Sequence, residues 1–181
     1  MSIEPILEQC ISDGRLVEVQ SLLGGHRERL VFAVPQVLKE LDPDTASEID
    51  ASNAAQLRAW IDGFTRGRRL TVGSDSNRHV DMKILNPRDD EVWEIRKRDA
   101  PSTRVFGRFA MRDMFIATNI RTVSDLFSVR WRTDRYLRWP VWREEIRRCK
   151  ATWRSLFPTH EPVSGGNLDD YLSNASDERD R

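Results

Sequence analysis

The chain has 181 residues with 29 basic and 29 acidic side chains, so its formal net charge is zero. A neutral sum excludes a uniformly basic nucleic-acid-binding protein and a uniformly acidic disordered chain, but it does not exclude a polarised chain. The charge is in fact segregated. Residues 1–63 carry 5 basic and 11 acidic side chains (net −6), 64–157 carry 22 and 12 (net +10), and 158–181 carry 2 and 6 (net −4).

In chain order, the first segment reads as helical. Ile3, Ile6, Leu7 and Ile11 recur at helical spacing, and Leu16, Val19, Leu22 and Leu23 continue the pattern after the Asp13-Gly14 turn. Gly24-Gly25 breaks it. Leu30, Phe32, Val34, Val37, Leu38 and Leu41 follow, interrupted by Pro35. Ser52 is the expected N-cap of a helix from Ala54 to Phe64. From His79 to Asn119 the period changes to two. Val80, Met82 and Ile84 alternate with polar residues, then Val92, Trp93 and Ile95, then Arg104 to Phe109, then Met114 to Thr118. Short turns between them predict an antiparallel meander of four strands. Ser124 is the expected cap of a helix from Asp125 to about Trp139, ended by Pro140, and a second helix runs from Val141 to Phe157. Residues 158–181 read as an acidic, partly disordered tail with one docked turn at Leu168, Tyr171 and Leu172.

The expected fold class is therefore α+β: an N-terminal helical block (1–66), a basic domain with a four-stranded antiparallel sheet and C-terminal helices (67–157), and the tail. No stretch reaches the ~18 consecutive apolar residues of a membrane span, and MSIEPILEQC lacks the charged and apolar regions of a signal peptide. Cys10 and Cys149 form no framework or metal motif and are expected to be reduced thiols in the cytoplasm.

There is no phosphate-binding glycine loop and no dinucleotide fingerprint, and His26, His79 and His160 stand apart from one another. Neither a metal nor another cofactor is expected. The arginines carry the signal: 25 Arg stand against 4 Lys. Residues two apart in a strand share a face, so Arg96 pairs with Arg98, and Arg104 with Arg108. Arg121 follows the last strand. Arg130, Arg132, Arg135 and Arg138 are interleaved with Trp131, Tyr136 and Trp139. Such a surface can neutralise phosphates and stack bases. The bland alternative is a solvated basic face over an aromatic core. The −6 segment is a candidate shield for the +10 segment.

Gly67-Arg68-Arg69-Leu70, Val92-Trp93-Glu94-Ile95-Arg96, Thr103-Arg104-Val105-Phe106, the strand Met114 to Asn119 and the helix from Trp142 to Phe157 follow one another in a familiar order. This half of the chain, about residues 67–157, resembles the RelE/ParE superfamily of toxins from type II toxin–antitoxin modules, nearest its HigB-like, phage-derived branch. The resemblance implies a RelE-like sheet and a bacterial, metal-independent endoribonuclease that cuts messenger RNA on the ribosome. Its partner would be an antitoxin protein, with homo- or hetero-oligomers formed. It assigns Arg104, Arg121 and Asn119 as catalytic and matches Arg96 to the family's strand arginine; together with Arg98, Arg108, Arg130 and Arg132 from the strand and helix spacing, Arg96 makes the expected RNA-binding set. The family's basic turn here reads Asn119-Ile120-Arg121-Thr122, without lysine. Arginine stays protonated and makes a poor general base. Two further readings follow: a non-catalytic nucleic-acid- or protein-binding module of mobile-element origin, and a gyrase-inhibiting toxin on the same fold.

Overall fold

The computed structural model describes residues 2–22, 24–47, 49–73, 80–127 and 139–177. In chain order the elements are α1 (Glu4–Ser12), β1 (Val17–Glu18), β2 (Leu30–Ala33), α2 (Pro35–Glu40), α3 (Ala51–Thr65), β3 (Leu70–Gly73), β4 (Met82–Ile84), β5 (Trp93–Lys97), β6 (Thr103–Met111), β7 (Met114–Thr122), α4 (Val123–Phe127), α5 (Trp139–Leu156) and β8 (Ala175–Asp177). One sheet collects all the strands in the order β1-β2-β7-β6-β5-β4-β3-β8.

This corrects the expected fold class. The sheet has eight strands and is mixed, and the N-terminal segment is not a helical block. β4 to β7 do form an antiparallel meander. β2, however, joins it in parallel beside β7, and β3 lies parallel to both β4 and β8. The physical reason lies in residues 30–34, Leu-Val-Phe-Ala-Val. A strand covered on both faces is apolar at every position, and its spacing then matches a helix as well as a strand. Val31 and Ala33 enter the core under α2 and α3, while Leu30 and Phe32 pack on the opposite face with α1 and α5. Pro35 does not disturb a helix but begins one, in the first turn of α2. Asp50, not Ser52, caps α3, accepting from the Asn53 amide at 2.8 Å.

The main core lies between the sheet and α2 with α3, where Leu57, Ile61 and Phe64 meet Val105, Phe109 and Phe115. α1 and α5 cover the other face. Of residues 158–177, Tyr171 and Leu172 are buried in the main core and β8 extends the sheet. Arg29 fixes this arrangement. Its guanidinium is 1% exposed, donates to the carbonyls of Phe64, Arg68, Ser173 and Asn174, and pairs with Asp113 at 3.4 Å. One side chain thus ties α3 and the C-terminal segment to the β6–β7 turn. The expected helix from Asp125 to about Trp139 falls largely outside the described residues; its described part is α4. Pro140 lies in the first turn of α5.

Candidate functional site

The site is built on β5, β6 and β7. Strand alternation sends Trp93, Ile95, Val105 and Phe109 into the main core, and Glu94, Arg96, Arg104 and Phe106 to the face under α5. β7 obeys this alternation only in two halves. Gly107 pairs with Ala117 but Phe106 pairs with Asn119, so Thr118 is an extra residue, a β-bulge. Before the bulge, Ile116 packs on the α5 face and Ala117 in the main core. After it the phase reverses. Ile120 enters the main core, and Asn119 and Arg121 reach Glu145 of α5. The bulge therefore aligns Arg96, Arg104 and Arg121 in one row, directly paired across three neighbouring strands.

A cross-strand row of like charges is destabilising unless it is countered. Two buried carboxylates counter it. Glu94 takes Arg96 at 3.3 Å and stands 3.9 Å from the Arg104 Nε. Glu145 accepts from the Asn119 amide nitrogen at 2.6 Å and from the Arg121 Nε at 3.2 Å, and pairs with Arg148 of its own helix at 3.5 Å. The Trp142 indole N–H, one turn before Glu145, donates to Glu94 at 3.2 Å. Arg104 is 8% exposed. It donates through one terminal nitrogen to the carbonyls of Lys97 (3.0 Å) and Thr103 (2.9 Å), and its Nε has no hydrogen-bond partner. Burial pulls the Arg104 pKa down, Glu94 opposes that pull and Arg96 adds to it. An arginine shifted this way remains charged. The result is a partly desolvated row of guanidinium groups whose balancing anions come from β5 and α5.

Of the residues singled out in the sequence, four meet here: Arg96, Arg104, Asn119 and Arg121. Arg98 lies past the end of β5 and turns toward Asp81 at 3.9 Å. Arg108 sits further along β6, donating to the Asp90 carbonyl and lying 5.6 Å over the Trp153 ring. Arg130 and Arg132 fall outside the described residues. α2 and α3 of the acidic segment pack on the sheet's opposite face, so the element lying on the row is α5 and not the expected acidic shield. Glu94, Trp142 and Glu145 escaped the sequence reading. A signal for Glu145 existed: it lies three residues after Trp142 and four before Cys149, on the apolar stripe of α5.

Two grooves among the described residues lie away from the row. One of about 640 Å³ opens between α2 and α3, beside Lys39 and Arg58, and another of about 530 Å³ lies by Trp93 and Tyr171. Among the described residues no cluster of His, Cys, Asp and Glu is placed to hold a metal ion, and no helix is long and apolar enough to cross a membrane. Comparison of the chain with family models, with curated proteins and with solved structures returns no match.

Proposed function

We propose that the chain acts on RNA as a toxin of the RelE/ParE kind: a metal-independent endoribonuclease that cuts messenger RNA on the ribosome and is neutralised by an antitoxin partner. The observation that supports this reading is the row Arg96–Arg104–Arg121, in register on adjacent strands with Asn119 beside it. Fixed guanidinium groups grip a phosphodiester and stabilise the extra negative charge of the phosphorane formed when the 2′-oxygen attacks. Arg104 and Arg121 fill that role, and Asn119 orients the phosphate. The proton of the 2′-hydroxyl needs an acceptor that no arginine supplies. Glu94, on the sheet beside Arg96 and Arg104, provides a carboxylate for it; the bond from phosphorus to the 5′-oxygen then breaks, leaving a 2′,3′-cyclic phosphate, and Glu94 returns the proton to the departing 5′-oxygen.

Induced expression is expected to arrest growth and to yield cleaved messenger RNA on ribosomes. Arg104→Ala and Arg121→Ala each lower cleavage by about 10²-fold or more, the usual effect of deleting one charge-stabilising donor. A second reading, a non-catalytic binding module, is favoured by the carboxylates that already occupy the row. Retained RNA binding without cleavage or growth arrest selects it. Growth arrest with intact messenger RNA selects the gyrase-inhibiting alternative.

A further inference from the structure

We propose that Glu145 is a built-in stand-in for the phosphate of a phosphodiester, and that the N-terminal half of α5 is a removable cover over the arginine row. The ligand's identity rests on the RNA reading above; the cover rests on contacts within the chain.

Glu145 is 3% exposed on a stripe otherwise made of Trp142, Ile146, Cys149 and Trp153. Packing alone favours an aliphatic residue there, because burying a carboxylate is costly unless it is paired. It is paired, and its partners are the residues aligned by the β7 bulge: one oxygen with the Asn119 amide, the other with Arg121. A carboxylate and a phosphodiester both carry a single negative charge on two equivalent terminal oxygens, so both satisfy the same pair of donors. One turn earlier, Trp142 donates to Glu94. The N-terminal half of α5 therefore occupies both anchor points of the row, the anion position at Arg121 and the carboxylate beside Arg104.

The two halves of α5 are held differently. Trp153, Leu156 and Phe157 pack with Leu7, Cys10 and Leu16 around α1, in a cluster separate from the one that holds Ile146 and Cys149 against Phe106. Trp153 also donates to the His160 carbonyl at 2.8 Å. Around the row that second cluster, with Val141 and Trp142 packed on it, is joined by buried charged contacts, whose Coulombic gain is close to cancelled by desolvation. Such contacts orient a helix while adding little to its hold. A ligand that supplies the same charge to Arg121 and Asn119 competes with Glu145 directly. The apparent RNA dissociation constant is the intrinsic one divided by the open fraction. Weakening the latch tightens binding.

The test uses the full chain, a fluorescein-labelled single-stranded RNA 12-mer read by anisotropy, and amide hydrogen exchange along α5. Glu145→Gln is expected to bind the RNA about tenfold more tightly than the parent, a gain lost on adding Arg121→Ala. Exchange is expected to accelerate over residues 142–149 and to stay slow over 150–157. Trp142→Phe, which removes the hydrogen bond to Glu94 and keeps an aromatic ring at the position, gives about a threefold gain and carries the test should Glu145→Gln fail to fold. If the parent binds RNA through Arg121 and neither variant binds more tightly, the cover is overturned while the RNA reading stands. If exchange accelerates over 142–149 and no variant binds RNA, the latch is supported and the RNA reading is overturned.

Discussion

Arg29 and Arg104 are both buried arginines with different surroundings. Arg29 gives its donors to four backbone carbonyls and has Asp113 beside it, with the Phe64 ring 5.2 Å from its guanidinium carbon. That environment is structural. Arg29→Ala is expected to cost about 3–5 kcal/mol of stability, since it leaves carbonyls and a carboxylate without their partner; denaturant unfolding measures it. Arg104 donates through one terminal nitrogen alone, to two carbonyls, with a carboxylate 3.9 Å from its Nε, an arrangement with donor capacity to spare. Sequence spacing pairs Arg96 with Arg98 and Arg104 with Arg108, each within its own strand; the β5–β6 register is what sets Arg96 opposite Arg104. Arg121 and Asn119 reach that face only through the bulge at Thr118, which no pattern of polar and apolar residues announces. Cys149 is buried beside Phe106, and burial pushes its thiol up to about 11. Iodoacetamide at pH 8 is therefore expected to leave Cys149 unmodified in the folded chain and to alkylate it in denaturant.

The β6–β7 hairpin is the element on which the site depends. Its bulge is made possible by Gly107, where an added Cβ would stand 2.2 Å from the Ile116 carbonyl oxygen and 2.5 Å from the Phe115 ring. Gly107→Ala forces the two strands apart where their register shifts. It is expected to cost about 3 kcal/mol, at the upper end of ordinary overpacking, because one obstacle is backbone. Thermal unfolding gives the loss, and RNA binding falls with it as Asn119 and Arg121 lose alignment with Arg104. The hairpin itself was legible in the sequence, since period-two runs joined by a short turn have few other solutions. β2 and β8 were not. β2 is uniformly apolar, and β8 is three residues, Ala-Ser-Asp, with no β-forming signal. Both are strands because the sheet supplies a ready partner edge, a tertiary effect that outweighs local preference.

For the molecule as a whole, the neutral charge sum describes a sheet whose arginine row carries its own counter-anions, one on the same sheet and one on a helix. Alkaline stability reports on the other buried ionisable groups. Burial, with a hydrogen bond to Glu91 adding to it, pushes Tyr171 up to about 12. For both Cys149 and Tyr171 the fold favours the protonated form, so their contribution is complete below the unfolded values and is lost as pH rises through the folded ones. For Cys149 that window runs from about 9 to about 11, and for Tyr171 from about 10 to about 12. Melting temperature is expected to be insensitive to these groups at neutral pH and to fall across pH 9–12. Tyr171→Phe should remove the uppermost part of that fall.

The parallel pairing of β2 with β7 sets Leu30 against Met114, and Arg121 lies 24 residues before Glu145. During synthesis the apolar segment 30–34 leaves the ribosome long before its partner strand exists, and it is the part of the nascent chain most in need of protection from aggregation. The arginine row has the opposite history. β5, β6 and β7 are consecutive and make local contacts, so the row can assemble before Glu145 has followed Arg121 out of the ribosome. At ordinary elongation rates the interval is about 1–5 s. For that time the newly made chain presents an uncovered cationic row, countered only by Glu94 of its own sheet, beside the ribosome, the largest RNA surface in the cell, and only later carries the helix that covers it.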